Sequence, residues 1–479
     1  MKHYDFAVIG AGVIGAWVAF ELSKYDVSVC VLEKENDCAM GTSKANSAIV
    51  HAGYDPEPGT LMARLNVRGN ELIRRYAKQM SIPFRRIGSL VAALNDEGLN
   101  VIKALYERGL ANGVPDLRIL NAEETKIIEP KISDECKGAL YAPTAGVCSP
   151  FDLTVAPLEI SVVNGVAFER NYEVTKIIRR KSGFVINDET EAGCIINCAG
   201  LYSDEIASLL GDDSIGITAR KGEYSILDKN TADIVHHVIF QPPTSLGKGI
   251  LVSPTVDGNI LVGPNAYDVD SKDDLSTTRE GQDEIFAGAA AVVPAVERRS
   301  VITSFAGQRA ISDKSGFIIG FSDSVPGLLN VAGICSPGLT SAPAIGEYVA
   351  GLLKEKGLLQ KKKNQYSESR DVIRLHEMSI EDSKKLISEN PLYGRVVCRC
   401  ETVTEGEIID SIRRPAGAFD VDGVKRRTRA GMGRCQGGFC APKVMAILAR
   451  ELQIPITDVT KFGRKSHMVS KKGWDQYDS

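Results

Sequence analysis

Residues 5–33 read DFAVIGAGVIGAWVAFELSKYDVSVCVLE, and this stretch contains a complete βαβ dinucleotide-binding pattern. The pattern begins with a short β-rich run at residues 5–9 and a glycine triplet in G-x-G-x-x-G spacing at Gly10, Gly12 and Gly15. A helical stretch at residues 16–24, a second strand at residues 27–32 and the acidic residue Glu33 follow in that order. A glycine triplet alone would be weak evidence. The complete order predicts a Rossmann unit at the start of the chain.

Each element of that pattern has a physical reason. Gly10 permits the tight turn, Gly12 lets the backbone approach a pyrophosphate, and Gly15 lets the helix pack closely on the strand. The helix N-terminus then faces the phosphates. Glu33, at the end of the second strand, can accept hydrogen bonds from ribose hydroxyls. The pattern does not distinguish FAD from NAD.

Length and composition describe an ordinary globular protein with more than one domain. The chain has 479 residues, of which 43% are hydrophobic and 25% charged, and this length predicts two or three domains. A net charge of −4 gives no reason to expect nucleic acid as a partner. The part after residue 390 is basic, which suits an acidic partner or simply a solvated helical face. Because no run of 18 apolar residues occurs, we expect no transmembrane segment and a cytoplasmic protein.

The stretch after the second strand resembles the D-amino-acid oxidase superfamily of flavoproteins. Residues 41–53 read GTSKANSAIVHAG, which matches the N-S-x-x-I/V-H-x-G motif of that superfamily, and residues 58–63 match a following P-G-x-L-x-A segment. The closest resemblance is to small glycerol-3-phosphate oxidases and dehydrogenases, and a more distant one is to L-2-hydroxyglutarate dehydrogenases. It extends in order through residues 1–355.

The resemblance implies an α/β (α+β) fold, with a Rossmann-like FAD-binding domain and an antiparallel-sheet substrate domain. A strand ending at Ala199 and Gly200 resembles the family's second contact with the dinucleotide. A turn before a predicted helix at residues 344–353 resembles the segment beside the flavin ring. The cofactor residues expected from motif and resemblance together are Gly10, Gly12, Gly15, Glu33, Thr42, Ser43, Ser47, Ala199, Gly200, Gly338, Leu339 and Thr340.

Oxidation of a secondary alcohol needs a base for the hydroxyl proton and an anchor for the distant anion of the substrate. His51 occupies the family motif beside the flavin, and its ordinary pKa of about 6.5 suits a base near neutral pH. The resemblance assigns Arg309 and Lys248 as cations that bind a substrate phosphate or carboxylate. From the residues alone, a structural histidine, a surface arginine and a hairpin lysine remain the alternatives.

Four cysteines lie close together in the sequence near the C-terminal end. Cys398 and Cys400 form C-x-C, and Cys435 and Cys440 form C-x4-C within a glycine-rich loop. Four thiolates near backbone N–H donors suit a [2Fe–2S] cluster. Zinc also accepts four thiolates, so it remains an alternative. The other seven cysteines are scattered, and we interpret them as small apolar residues.

This C-terminal segment resembles the bacterioferritin-associated ferredoxin-like [2Fe–2S] domain, a small helical fold. The shared features are the motif V-C-R-C-E, the basic stretch 425–429 and the motif G-M-G-x-C-Q-G. One feature departs from the stand-alone ferredoxin, whose last two cysteines are spaced C-x2-C. Dehydrogenases that carry the fused domain have the longer spacing too.

Together the motifs predict an FAD-dependent dehydrogenase that oxidises glycerol 3-phosphate and passes electrons on through the cluster to a redox protein or a second flavoprotein subunit. The alternatives are a 2-hydroxy acid such as L-2-hydroxyglutarate, hydroxyproline or another amino acid as substrate, and a non-catalytic electron-transfer subunit. Peripheral attachment to a membrane through a partner is compatible with the sequence. The expected divisions are an oxidoreductase domain, a linker, a [2Fe–2S] domain and a polar basic tail, at residues 1–355, 356–375, 376–460 and 461–479.

Overall fold

A computed structural model describes residues 1–242 and 249–469. Lys248 therefore lies outside the described residues, as does the end of the predicted tail. Within the described ranges the strands are β1 (Lys2–Ile9), β2 (Val29–Leu32), β3 (Ile49–Val50), β4 (Phe84–Arg85), β5 (Ser89–Ala93), β6 (Arg118–Asn121), β7 (Gly138–Ala142), β8 (Gly146–Cys148), β9 (Ala167–Glu169), β10 (Ile177–Arg180), β11 (Gly183–Ile186), β12 (Thr190–Asn197), β13 (Ile217–Leu227), β14 (Val238–Phe240), β15 (Leu251–Pro254), β16 (Ile260–Gly263), β17 (Tyr267–Val269), β18 (Val301–Ser312), β19 (Ile318–Phe321), β20 (Leu328–Ala332), β21 (Val396–Cys398) and β22 (Val403–Thr404).

In the described part of the chain the helices fall into two groups, eight that precede residue 356 and four that follow residue 379. They are α1 (Val13–Ser23), α2 (Leu61–Gln79), α3 (Asp96–Ala111), α4 (Ala122–Ile128), α5 (Asp152–Val163), α6 (Ser203–Ser208), α7 (Arg279–Val292), α8 (Gly338–Glu355), α9 (Ile380–Glu389), α10 (Glu405–Arg413), α11 (Val421–Thr428) and α12 (Ala441–Leu452).

The first sheet contains the Rossmann unit. Its strand order is β10-β11-β12-β1-β2-β9, with β20 beside β12 and β19 beside β20. Strands β9, β2, β1, β12 and β20 are parallel to their neighbours in this set, as a dinucleotide-binding sheet requires. Helix α1 is apolar all round, and it is buried between the sheet and helices α5 and α8 because such a helix has no face suited to water.

The second sheet is almost wholly antiparallel. Its order is β17-β13-β16-β15-β14-β5-β7-β6, with β18 also paired to β13, and only the β14–β5 pair is parallel. The long strands β13 and β18 pair from Ile217 opposite Ser312 to Leu227 opposite Val301. Because its strands come from two separate parts of the chain, this sheet is interleaved in sequence with the first one. The predicted combination of a Rossmann-like domain and an antiparallel sheet is confirmed.

Helix α8 begins earlier than the sequence predicts. The predicted start is Ala344, after the turn at residues 336–340. The helix instead begins at Gly338 and includes Pro343. The N–H of Ser341 donates to the carbonyl of Pro337 at 3.1 Å, so the first turn closes before the proline is reached.

The C-terminal module, defined here as residues 376–460, has its own apolar core. Helices α9–α12 and the two-stranded β21–β22 sheet belong to it, and the core contains Ile408, Val424, Val444 and Leu448. The connector before it lies along the first domain, where the N–H of Asp26 donates to the carbonyl of Lys361 at 2.9 Å. The segment that connects the first domain to the module is therefore packed against the first domain.

Buried ion pairs join the module to the first domain. The carboxylate of Asp37 receives two hydrogen bonds of 2.7 Å from the guanidinium of Arg427 and also pairs with Arg426. A second pair joins Arg414 to Glu159 at 3.1 Å. Burial alone would raise the pKa of Asp37, but the two arginines lower it below its usual range. These side chains are nearly inaccessible to water, so the two parts form a tightly docked pair.

Candidate functional site

A cavity of about 1340 Å³ lies between the two sheets. It exceeds the roughly 300–1,000 Å³ of an ordinary ligand pocket, as an extended dinucleotide with a substrate beside it requires. Twelve of the residues expected from sequence line it: Gly10, Gly12, Glu33, Thr42, Ser43, Ser47, His51, Ala199, Gly200, Arg309, Gly338 and Leu339. Gly15 and Thr340 do not line it, and their positions are described below.

The glycine turn after β1 is as tight as the fingerprint predicts. Gly10 has φ +102°, and a Cβ there would lie 2.6 Å from the carbonyl oxygen of Cys198. A Cβ on Gly15 would lie 1.9 Å from the carbonyl oxygen of Gly10. Gly15 therefore allows close packing of helix and strand, while the turn itself borders the cavity. Substitution at either position would displace the backbone of the turn that borders the cavity.

Glu33 directly follows β2 and lines the cavity, at the position where the sequence pattern predicts ribose recognition. Its carboxylate accepts the N–H of Ala11 at 2.7 Å and the N–H of Glu35 at 3.0 Å. Burial raises its pKa to about 7, although these two N–H donors favour the ionised form. No cation neutralises it in a salt bridge within the described part of the chain. A buried acceptor with spare lone pairs suits the two hydroxyls of a ribose.

The loop that carries Thr42 and Ser43 connects the two sheets. The hydroxyl of Ser43 accepts the N–H of Val13, the first residue of α1, at 2.9 Å. The hydroxyl of Thr42 donates to the carbonyl of Gln308 on β18 at 2.7 Å. The loop thus fixes the N-terminus of α1 relative to the strand that carries Arg309.

The backbone of His51 is held at both of its polar groups. Its N–H donates to the hydroxyl of Thr340 at 2.9 Å, and its carbonyl accepts from the side-chain amides of Asn66 and Asn70 at 3.0 Å each. Thr340 thus contacts the backbone of the proposed base instead of the cavity. Sequence patterns placed Thr340 near the cofactor, but they held no signal for this positioning contact.

The imidazole of His51 packs with its flat face against Phe240, which also lines the cavity. Its ring stacks on Phe240 with 5.7 Å between centroids and an interplanar angle of 28°. Its Nε2 lies 3.5 Å from the hydroxyl oxygen of Ser336, at the outer limit of a hydrogen bond. The stacking partner comes from β14, so sequence patterns alone gave no indication of it.

Arg309 and Arg220 are opposite each other in the register of β18 and β13, yet their partners differ. Arg220 is occupied by Asp268, with N–O distances of 2.6 and 3.0 Å. Within the described residues, the guanidinium of Arg309 donates one hydrogen bond, to the carbonyl of Asn265 at 3.4 Å, and no carboxylate pairs with it. A guanidinium in a cavity without an acidic partner is a ready anchor for an anion.

The four C-terminal cysteines form two pairs. The sulfurs of Cys400 and Cys435 lie 3.7 Å apart, close to the edge of about 3.8 Å that two ligands span on a tetrahedral metal with bonds of about 2.3 Å. The thiols of Cys398 and Cys440 contact each other, and that contact helps to lower the pKa of Cys398 to about 6. Thiolates are the form that binds metal.

The glycine-rich loop supplies N–H donors to these sulfurs. The backbone groups of Phe439, Gly437 and Gly438 approach Cys435 and lower its pKa. Within the described ranges, no three side chains of metal-ligand type converge on a single metal position. Two sulfur pairs suit two irons, each with two cysteines, better than one tetrahedral zinc ion.

Comparison with known proteins agrees with this geometry. Residues 5–352 match the family model described as FAD dependent oxidoreductase. The chain belongs to the FAD dependent oxidoreductase family. Residues 396–450 match a second model, the BFD-like [2Fe-2S] binding domain, so this family member combines two redox groups. The expected cofactors, FAD and a [2Fe–2S] cluster, are confirmed, and the zinc alternative is set aside.

Relatives of this oxidoreductase include proteins with and without the second domain. It is 45% identical over 471 residues to a glycerol 3-phosphate dehydrogenase of Caloramator mitchellensis, with 98% of each chain covered. It is 35% identical to a glycerol 3-phosphate oxidase of Mycoplasma genitalium, covering 76% of this chain and 97% of the relative. The structure of dithionite-reduced L-alpha-glycerophosphate oxidase from Mycoplasma pneumoniae with FAD bound has a TM-score of 0.75 and 31% identity, covering 78% of this chain and all of that one.

None of the helices in the described residues combines the length and apolar character needed to cross a membrane.

Proposed function

We propose that this oxidoreductase is a glycerol 3-phosphate dehydrogenase that forms dihydroxyacetone phosphate. The observation that carries the proposal is similarity over 98% of the chain, both redox domains included, to a relative with that name. When bound, FAD supplies a hydride acceptor and the [2Fe–2S] cluster supplies one-electron transfer. The domain boundaries and the site residues given above are part of the proposal.

His51 takes the hydroxyl proton of the substrate. Its backbone is fixed by Thr340 and two asparagine side chains, and its ring is stacked on Phe240, so the imidazole has little freedom to turn away. A base held in this way can contribute about 10² to 10⁴ in rate.

Arg309 binds the substrate phosphate. Its guanidinium is charged at any working pH and can donate two parallel hydrogen bonds to one phosphate. It lines the same cavity as His51 and is not occupied by an acid of the described residues. Lys248 is proposed as the second cation, which a phosphate dianion needs more than a monocarboxylate does. That lysine lies outside the described residues, so its assignment rests on the sequence.

A 2-hydroxy acid is the second candidate substrate. L-2-hydroxyglutarate dehydrogenase of Escherichia coli K12 is 33% identical over 287 residues, which is 58% of this chain. One arginine would suffice for a carboxylate. Among the described residues of this cavity, Arg309 is the cation that we propose as that anchor. The shorter similarity places this candidate behind glycerol 3-phosphate. An electron-transfer subunit without turnover would not need a free anchor beside a positioned histidine.

The acceptor is proposed to be an acidic redox protein or second flavoprotein subunit that contacts the cysteine cluster. Cys400 is exposed, and the neighbouring Phe439 has 83% of its surface exposed. Arg399 and Lys443 are exposed beside them, so this surface is apolar at its centre and basic around it. Such a surface suits an acidic partner with an apolar centre. None of the eleven cysteines forms a disulfide, which fits the proposed cytoplasmic location.

Anaerobic mixing of the protein with one substrate at a time tests the proposal. Glycerol 3-phosphate is expected to bleach the flavin faster than L-2-hydroxyglutarate or hydroxyproline does. Arg309→Ala should weaken glycerol 3-phosphate binding by about 10 to 100-fold, the usual loss for a hydrogen bond to a charged group. Arg220→Ala, which removes an arginine already paired with an acid, is the matched control. Bleaching by hydroxyproline or L-2-hydroxyglutarate alone would contradict the named substrate.

A further inference from the structure

The chain after the C-terminal module folds back on itself as a closed turn. Residues 460–467, called here the C-terminal turn, begin and end with a bridge between Thr460 and His467. The N–H of Lys461 donates to the carbonyl of Ser466 at 2.8 Å, and the N–H of Phe462 donates to the hydroxyl of Ser466 at 2.9 Å. The part of the predicted polar tail that the structure describes is thus ordered by its own hydrogen bonds.

The C-terminal turn is fixed to the start of helix α11. The N–H of Val421 donates to the carbonyl of Thr460 at 3.2 Å, and the N–H of Asp422 donates to the carbonyl of Lys461 at 2.8 Å. A salt bridge of 3.3 Å between Lys461 and Asp422 adds to these contacts. The turn therefore moves with the module.

The same turn reaches the first domain beside Glu33. Arg464 pairs with Glu35 at 3.1 Å. A Cβ on Gly463 would lie 2.4 Å from the side chain of Asn36, so the two segments are in close contact. Phe462 and Arg464 both line the dinucleotide cavity. Two residues from beyond the module thus form part of the wall of a cavity that belongs to the other domain.

The loop of residues 33–38 is held from both sides. Glu33 faces the cavity at its start, while Asp37 lies in the buried cluster with Arg426 and Arg427 near its end. Between them, the side chain of Asn36 donates to Asp420, the N-cap of α11. Docking of the module fixes the loop that presents Glu33.

We propose that the C-terminal turn is part of the FAD site, and that docking of the iron–sulfur module strengthens FAD binding. Glu33 marks the ribose of the adenosine half, so the turn stands at that end of the cofactor. Phe462 offers an aromatic face to the adenosine, and Arg464, through its salt bridge with Glu35, holds the turn against the loop that presents Glu33. Phe462 is 47% exposed, so a bound ligand could bury the exposed part of its ring.

A shorter relative binds FAD with a chain that aligns with only part of this one. The Mycoplasma pneumoniae oxidase holds FAD in its structure, yet all of that chain aligns with only 78% of this one. The core of the fold therefore suffices for that protein to bind FAD. In this chain the turn increases an affinity that the glycine turn and Glu33 already provide.

The test measures FAD release from the full-length protein with its cluster intact. Holoprotein is diluted, and the fluorescence of released flavin gives the dissociation constant for wild type, for Phe462→Ala/Arg464→Ala and for a chain that ends at residue 459. Both variants are expected to bind FAD about tenfold more weakly, the usual scale of one lost stacking contact. Arg413→Ala, which removes an exposed arginine paired with Glu451 on the same module, should bind FAD as wild type does.

Folding is checked in the same samples by the melting temperature and by the visible absorption of the cluster. If the double variant melts as wild type does and keeps FAD as tightly, the proposal is wrong. If the shortened chain loses stability, the double variant alone decides. The inference rests on the cofactor and not on the proposed substrate, so failure of glycerol 3-phosphate as substrate would leave this result unchanged.

Discussion

Two buried carboxylates at the two ends of one loop have opposite environments. Glu33 faces the cavity with backbone N–H donors and no salt-bridge partner in the described residues, and burial raises its pKa to about 7. Asp37 faces the module with two arginines, which hold its pKa below the usual range despite burial. The first carboxylate remains available to a ligand, whereas the charge of the second is neutralised within the protein. A carboxylate that can still bind a ligand marks the side of the loop that faces the cavity, and a carboxylate neutralised by arginines marks the side that faces the module.

The arginines of the cavity and of the domain interface differ in the same way as the two carboxylates. Arg309 has no acidic partner in the described chain, while Arg427 makes a bidentate pair with Asp37. Changes on the cavity side should therefore alter chemistry or binding with little effect on stability. Changes on the interface side should lower stability first.

The largest effect is expected for His51→Asn. Asparagine keeps much of the polar volume but cannot take a proton, so reduction of bound FAD by substrate should slow by about 10² to 10⁴. The melting temperature and the amount of bound FAD should stay near wild type. Stopped-flow absorbance measures the rate, with the exposed His236→Asn as control. Reduction at the wild-type rate would show that another group is the base.

A change on the interface side, Asp37→Asn, should act on stability. It leaves Arg426 and Arg427 buried without their shared carboxylate, and breaking such a pair costs about 3 to 5 kcal/mol. The thermal unfolding of full-length protein should shift down, whereas Arg413→Ala, at an exposed pair, should cost under about 1 kcal/mol. Equal melting temperatures for wild type and Asp37→Asn would remove the distinction between the two ends of the loop.

Acid should reveal the same carboxylate. A carboxyl whose pKa is depressed by folding stabilises the protein above its unfolded pKa, here 3.8, and this contribution is lost as the pH falls toward the folded pKa. Wild type should therefore lose stability more steeply than Asp37→Asn between about pH 5 and pH 2. Parallel curves for the two proteins would mean that Asp37 is not held ionised.

The smallest effect concerns Glu33, and it also grows as the pH rises, but near pH 7. Ribose hydroxyls donate to the ionised carboxylate, so FAD binding should release the proton that burial retains. The affinity for FAD should then rise by up to about tenfold as the pH increases through 7, where one pKa unit corresponds to a factor of ten. Glu33→Gln, which has no charge to lose, should bind FAD with little change over that range. An equal rise in the variant would place the titrating group elsewhere.

The sequence predicted the local parts of this molecule better than the contacts between them. The βαβ pattern, the cavity position of His51 and the four cysteines follow motifs of short range. The stack of His51 on Phe240, the Thr340 hydroxyl at the backbone of His51 and the pairing of Asp37 with Arg427 join distant segments. No spacing rule indicates such contacts, because they depend on how the two sheets and the module pack.

The start of α8 and the C-terminal turn were mispredicted or missed for local reasons. Residues 338–340 were predicted to belong to the turn before α8, yet they form its first turn, where the N–H of Ser341 donates to the carbonyl of Pro337. Residues 460–467 are polar and basic in composition, which suggested a tail, but paired backbone groups and the glycine at 463 close them into a turn.

Electron transfer from the substrate through the flavin to the cluster is tested by adding glycerol 3-phosphate anaerobically to the purified protein and following the flavin absorbance and the electron paramagnetic resonance of the cluster. We expect the flavin band to bleach and the signal of a reduced [2Fe–2S] cluster then to appear. In Cys435→Ser the flavin should still bleach while the cluster signal is absent. A cluster that stays oxidised in wild type while the flavin is fully reduced would contradict the claim that electrons leave through the C-terminal module.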